Sequence, residues 1–349
     1  MVFGVGLIVN AVLVAIPVGG SVGALMGIDA HRAATGQKPL FTGGNTDDST
    51  TPGGGGGGGS GSTGDGGNHN STTPVHGTQM TEYCDLSWGI TPPSKTEQYT
   101  LNPNQWGVTD TTVGKLCMNV TTFKNETYPT KTAPEFSVNW KFDAGPETQP
   151  VHAYSNIRVD DVLPLALDSM QQLYLDLHWT YGSGNASVET TSSDDLTAAN
   201  LNTNVAIDMF LDSDKAKAEN GTNAKYEVMV WFAQIGAATQ PIGLKNKSKA
   251  TRNLNGTTFE LYAGQNGEGQ NVMSWVSKDA VNGGFTEKFT GDIYPLITDL
   301  YSMKSADLND IEPPSKDDFL GSLAFGTEAF YSDEFVTFSV PEYKIDIRT

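Results

Sequence analysis

The sequence predicts an all-β sandwich of antiparallel sheets carrying one α-helix. Short alternating or β-branched runs recur from Tyr83 to the C-terminus, and clusters of Gly, Asn, Pro and Asp separate them at regular intervals. A single segment departs from this pattern and repeats its apolar residues with a helical period.

The chain of 349 residues opens on a charge-free apolar stretch, Phe3 to Met26, long enough for a signal peptide or a membrane anchor. No Lys or Arg precedes it and Arg32 follows it, so charge asymmetry alone would leave the remainder cytoplasmic. Seven N-glycosylation sequons, at Asn70, Asn119, Asn125, Asn185, Asn220, Asn246 and Asn255, and two cysteines point the other way. Secretion is therefore the expectation, with an anchored extracellular domain as the alternative. From Gly43 to Thr73 the composition is mostly Gly, Ser, Thr, Asn and Asp, including the run Gly53 to Gly59, which reads as a flexible tether. No Gly-Lys-Ser/Thr follows, so these glycines do not form a phosphate cradle. The expected organisation is residues 1–32 as signal or anchor, 33–79 as linker and 80–349 as one folded domain.

Within that domain the strand runs are Phe136 to Phe142, Leu173 to Tyr181, Val205 to Leu211, Tyr226 to Phe232, Thr257 to Tyr262, Val272 to Val276, Leu323 to Phe330 and Phe335 to Val340. The helix is Asp292 to Met303, with Ile293, Leu296, Ile297, Leu300 and Tyr301 on one stripe and Pro295 in the first turn, where proline is tolerated.

The formal charge of −19, with no Lys/Arg run, excludes nucleic acid as a partner. Cys84 and Cys117 could form one disulfide. His31, His69 and His76 precede the folded domain and His152 and His178 stand alone, so neither a metal nor another cofactor is expected. The folded part has no Gly-x-Ser-x-Gly elbow of an α/β-hydrolase.

The strand from Tyr226 to Phe232 is the most informative stretch. Side chains alternate, so Val228, Val230 and Phe232 form a core face, while Glu227, Met229 and Trp231 point the other way. That second set suits a sugar-binding cleft; a solvated outer face is the competing reading. Glu328 sits mid-run in Phe325-Gly326-Thr327-Glu328-Ala329-Phe330. Glu is disfavoured in strands, and two in the most apolar strands need a reason. Glycoside hydrolysis supplies one, because it needs an acid on the leaving oxygen and a carboxylate across the anomeric carbon, roughly 5 Å apart when configuration is retained. Neighbouring strands of one sheet would provide such a separation. Asp208 shares a face with Ala206 and Phe210 and could tune a nearby carboxylate, although a turn or edge Asp reads the same way.

The segments Glu227-Val-Met-Val-Trp231 with Pro241-Ile-Gly243, Gly326-Thr-Glu328-Ala-Phe330, Asn104-Gln-Trp106-Gly107 and Val151-His-Ala-Tyr154-Ser-Asn156 resemble, in order, glycoside hydrolase family 12. The resemblance runs from Cys84 to the C-terminus. It implies a β-jelly-roll of two curved antiparallel sheets with a concave substrate cleft, and retaining endo-hydrolysis of β-1,4-glucan. It implies Glu227 as nucleophile, Glu328 as acid/base and Asp208 hydrogen-bonded to the nucleophile. Trp106 takes the place of a stacking platform with Asn104 beside it. Met229, Trp231, Trp88, Asn156 and Pro241 are further candidates for contact with the glucan. It also implies a disulfide between Cys84 and Cys117. A monomer is expected, with membrane contact only through the N-terminal apolar segment.

Three departures bear on substrate choice: a loop about one residue longer between Trp231 and Pro241, Ala329 where Pro is common, and an extended region from Gly182 to Asn204. Cellulose or mixed-linkage glucan is the first expectation and xyloglucan the second. A non-catalytic carbohydrate-binding jelly roll is the rival from another class, and the second glutamate argues against it.

Overall fold

The computed structural model describes residues 78–84, 88–92, 99–123, 133–160 and 162–349. The apolar segment and the Gly-rich tether lie outside these residues. Among the described residues there are fifteen strands: β1 (Thr78–Tyr83), β2 (Tyr99–Asn102), β3 (Gly114–Phe123), β4 (Phe136–Phe142), β5 (Ala153–Val159), β6 (Leu165–Ala166), β7 (Gln172–Ser183), β8 (Asn202–Asp212), β9 (Tyr226–Ile235), β10 (Ala250–Leu254), β11 (Thr257–Gln265), β12 (Asn271–Ser277), β13 (Lys288–Asp292), β14 (Phe319–Tyr331) and β15 (Val336–Arg348). They form a six-stranded sheet in the order β1-β3-β4-β15-β7-β13 and a nine-stranded sheet in the order β10-β11-β12-β9-β8-β14-β5-β2, with β6 paired to β14. All pairs are antiparallel except β9 with β12, which run parallel.

The two sheets meet over one apolar core, to which alternate residues of the central strands contribute. Trp140, Trp179 and Trp275 are fully buried in it, and each indole N–H is satisfied: Trp140 donates to the Tyr181 hydroxyl at 2.6 Å, Trp179 to the Thr286 carbonyl and Trp275 to the Leu296 carbonyl, both at 2.9 Å. Strand β15 runs past Pro341, where the sequence reading stops at Val340. The proline falls where the register against β7 shifts, between Ser339 and Glu342, so its missing N–H costs no ladder bond.

The helix spans Tyr294–Tyr301, shorter at each end than expected, because Ile293 is its cap residue and the Asp292 carboxylate accepts from the N–H groups of Tyr294 and Leu173, both at 3.0 Å. Ile293, Leu296, Ile297 and Leu300 are all fully buried. Three shorter α-helical turns accompany it among the described residues: Ser193–Ala198, Lys215–Ala218 and Lys278–Val281. Cys84 and Cys117 are joined in a disulfide that ties the end of β1 to β3.

Candidate active site

On β9, Val228, Val230 and Phe232 enter the main core, while Met229 and Trp231 pack with Ala206, Tyr262 and Val276 on the opposite face. On β8, Val205, Ile207 and Met209 point into the core and Ala206 and Phe210 away from it, which puts Asp208 on the same face as Glu227. Pairing sets Asp208 opposite Met229 on β9 and opposite Ala324 on β14. Glu328, next to Ala329 in its pair with Thr203, stands across from Asn204, and Tyr154 of β5 stands on its other side.

Glu227 and Glu328 are therefore not on neighbouring strands, as the residue pattern suggested, because β8 lies between them. They line one cavity of about 20 Å³ with Met229, Trp231, Gln240, Ile242, Val272 and Ser274. Fractional exposure is 0% for Glu227, 1% for Asp208 and 5% for Glu328, so the three carboxyl groups are withdrawn from bulk water. A larger cavity of about 400 Å³ adjoins this one through Gln240 and Ile242, and Pro241, Asn266 and Phe330 line it.

Two buried asparagines hold the glutamates. Asn204 Oδ1 accepts from the Glu328 N–H at 3.0 Å, and Asn204 Nδ2 donates to Glu328 Oε2. Asn266 Nδ2 donates to Glu227 Oε2 at 3.4 Å and to Gln270 Oε1 at 2.9 Å, while Gln270 donates to the carbonyls of Gly221 and Ala224, both at 2.7 Å. Glu227 Oε1 and both Asp208 oxygens have no hydrogen-bond partner. The bond from Asp208 to Glu227 that the resemblance implies is thus not formed. Because Asp208 pairs with Met229, Glu227 lies diagonally one pleat away.

Burial pushes the Glu328 carboxyl up to about 7, against the pull of the Asn204 amide. Burial also raises Asp208 and Glu227 well above the carboxylate range. The facing Glu328 adds to the effect on Asp208, and Asp208 and Glu328 add to the effect on Glu227. Glu227 has an amide donor to stabilise its anion. Asp208 has only the Met209 N–H, too poorly placed to count as a hydrogen bond. Asp208 and Glu227 are coupled, and a charge on Asp208 opposes the ionisation of Glu227. The Tyr154 hydroxyl, donating to the Ala206 and Ala324 carbonyls at 3.2 and 3.1 Å, is kept protonated by burial and by the acids around it.

The remaining candidates lie around this centre. Asn104 takes φ +46° and is 3% exposed, and its carbonyl accepts from the Tyr154 N–H. Trp106, half-buried, is fixed by the bond from the Gly107 N–H to the His152 carbonyl, and its indole N–H has no partner. Asn156 is buried and bonded to Asn102 and to the Tyr154 carbonyl; neither cavity beside the glutamates includes it. Trp88 lies under the Arg158 guanidinium, 5.2 Å from the ring centre. The sequence reading missed Asn204, Asn266, Gln270, Gln240 and Ile242, whose types say little until pairing brings them to the carboxylates. Tyr154 stands in one of the recognised segments but received no role there.

A two-sheet β fold with paired glutamates buried against one cavity of its larger sheet belongs to the glycoside-hydrolysing jelly rolls. The model of glycosyl hydrolase family 12 matches residues 97–348, and the chain belongs to that family. A probable xyloglucan-specific endo-β-1,4-glucanase A of Aspergillus clavatus is 31% identical over 212 residues, which cover 61% of this chain and 73% of that protein. The xyloglucan-specific endo-β-1,4-glucanase A of Aspergillus niger is 28% identical over 243 residues, covering 70% of this chain and 83% of that one. Among solved structures, endoglucanase 3 of Trichoderma harzianum superposes with a TM-score of 0.58 at 21% identity, over 77% of this chain and 98% of that chain. The family 12 xyloglucanase of Bacillus licheniformis gives 0.53 at 16% identity, over 77% and 100%. These superpositions bear on the fold, and the enzyme's substrate is a polysaccharide.

Proposed function

We propose that the chain is a retaining endo-β-1,4-glucanase in which Glu227 is the nucleophile and Glu328 the acid/base. The observation that carries this reading is a pair of buried glutamates, each held by an asparagine amide, lining one small cavity, with the Glu328 carboxyl pushed up to about 7 as a general acid requires. Glu328 protonates the leaving oxygen as Glu227 attacks the anomeric carbon. Glu328, now ionised, then takes a proton from the water that releases the glycosyl-enzyme. Asp208, beside Glu227, helps to set the ionisation of the nucleophile. Trp106, Asn104, Met229, Trp231, Trp88, Asn156 and Pro241 line or support the glucan path.

The test is release of reducing ends from barley β-glucan, carboxymethylcellulose and xyloglucan. Glu227→Gln and Glu328→Gln are each expected to lower the rate on the order of 10²- to 10⁴-fold while glucan binding persists. A variant with parental activity overturns the assignment. As to the backbone cut, xyloglucan is a specific second reading beside unbranched or mixed-linkage glucan. It is favoured by what the Aspergillus relatives are named for, and by the roomy cavity beside the carboxylates.

Secretion as a monomer completes the reading, with the apolar segment (residues 1–32) as signal or anchor, 33–79 as linker and 80–349 as the catalytic domain. It is supported by the disulfide and by exposed sequon asparagines at Asn185, Asn246 and Asn255.

A further inference from the structure

The extended region between Gly182 and Asn204 has no part in the chemistry above, yet it is built to a purpose. It folds as a turn of helix, Ser193–Ala198, capped by the Ser192 hydroxyl, and it packs down through Leu196, which is 1% exposed. Its far end is pinned at several points. The Ala199 carbonyl accepts from the Asp333 N–H at 2.9 Å and the Ser332 hydroxyl at 3.0 Å, and Asn200 Nδ2 donates to the Asp333 carboxylate at 3.2 Å. Asn202 Oδ1 then accepts from the Ala238 N–H at 2.8 Å, which fixes the loop leaving β9. Gly236 makes that approach possible, since at φ +81° a Cβ there would lie 2.3 Å from Asn202 Oδ1.

Between this docked segment and the ends of β9 and β14 is a pocket of about 310 Å³. That size is at the lower end for small-ligand sites, about 300 to 1,000 Å³. Thr197, Asn200 and Asn202 form one wall, and Gln234, Phe285 and Tyr331 face them; none of the residues lining it is charged. Amides, hydroxyls and aromatic faces without charge suit a neutral polyhydroxylated ligand and do not suit an ion. Gln234 lines the pocket and its buried Oε1 has no hydrogen-bond partner, so a turn of this amide toward the pocket offers an acceptor to a hydroxyl.

The position ties the pocket to the reaction. Gln234 pairs directly with Asn204, which holds Glu328, so the three side chains form a row across β9, β8 and β14. Two strand spacings separate Gln234 from Glu328, about 10 Å. Ala237 and Tyr331 line this pocket while their chain neighbours Ala238 and Phe330 line the larger cavity, so the two spaces adjoin.

We propose that this pocket is an accessory glycosyl site on the Glu328 side of the cleft, holding one neutral pyranosyl unit of the polysaccharide. The proposal rests on the glucanase reading and adds a site to it. The unit is either a distal backbone residue or a side branch, and the test separates the two. Thr197 is exposed on the helical turn, so Thr197→Trp fills the pocket without touching the carboxylates, and Thr197→Ser leaves it open.

Steady-state rates are compared on an aryl cellobioside, a long linear cello-oligosaccharide and a xylosyl-branched oligosaccharide. For Thr197→Trp, kcat/KM is expected to fall about tenfold, the weight of one or two hydrogen bonds, on one or both long substrates. The loss is carried by KM, with the aryl cellobioside rate and the thermal midpoint unchanged and Thr197→Ser like the parent. Loss on the linear chain marks a backbone unit, and loss confined to the branched one marks a side branch. Gln234→Leu is expected to reproduce the KM loss. Parental kinetics of Thr197→Trp on both long substrates, or an equal loss on all three, overturns the pocket alone. A parent protein that cleaves none of the three overturns the glucanase reading and the pocket with it.

Discussion

Asn204 grips Glu328 at two points, its side-chain Oδ1 taking the Glu328 main-chain N–H and its side-chain Nδ2 donating to the Glu328 carboxylate. The side-chain bond favours the anion and so opposes the burial that raises this group to about 7. Asn204→Ala removes that donor. The alkaline limb of the kcat/KM profile, set by loss of the acid proton, is expected to move up by about one pH unit, the worth of a hydrogen bond to a charged group. A limb that stays put or moves to lower pH shows that the amide does not tune the acid.

Asp208 acts on the other limb. Its carboxyl is raised by burial and by the facing Glu328, and it lies beside Glu227, whose own ionisation it opposes. Asp208→Asn keeps the shape and removes a group able to carry charge, so Glu227 ionises more readily. The acidic limb of kcat/KM is expected to move to lower pH. If the limb is unchanged or rises, the two groups are not coupled through charge.

Storing a proton on Glu328 has a cost in stability that depends on pH. Between the ordinary value of 4.5 and the folded value of about 7, the folded state holds a proton that the unfolded chain releases, so each step up in pH removes stability. The loss is complete above the folded value and amounts to about 3 kcal/mol. Glu328→Gln retains an oxygen for the Asn204 amide and never ionises. Its thermal midpoint is expected to exceed the parent's at pH 8 and to match it near pH 4.5. An equal difference at both pH values means that the substitution acts through packing.

Much of this was legible because it is local. Alternation along Tyr226 to Phe232 separates the core residues from Glu227, Met229 and Trp231, and the stripe from Ile293 to Leu300 sets the helix, since both patterns need only the chain's own geometry. What the pattern does not carry is strand order. Nothing near Glu227 or Glu328 says that β8 comes between them, and so nothing marks Asn204, four residues before Asp208, as the partner of Glu328. Asn266 and Gln270 sit in the turn from β11 to β12, where such residues are ordinary, and only the parallel pairing of β12 with β9 brings them to Glu227. The pocket beside Gln234 depends on contacts between Ala199 or Asn200 and Asp333, remote in sequence, which no window along the chain contains.

Gly326 sets the approach of β14 to β5 at the level of the carboxylates. It pairs with Asn156 on β5 and with Ala206 on β8, two residues before Glu328. A Cβ built there would lie 2.1 Å from the Ser155 carbonyl oxygen and 2.8 Å from the Asn156 Cβ, and the first of these is backbone that cannot rotate aside. Adding a methyl group therefore means pushing β5 away from β14, against the Tyr154 hydroxyl that ties β5 to the carbonyls of Ala206 and Ala324. Gly326→Ala is expected to cost at least about 3 kcal/mol, the upper end for overpacking, and to reduce activity further by displacing Glu328. Chemical denaturation measures the first effect. Activity of the fraction that remains folded, on the aryl cellobioside, measures the second. A variant with parental stability shows that β5 gives way without cost, and the spacing of these two strands then does not hold the acid in place.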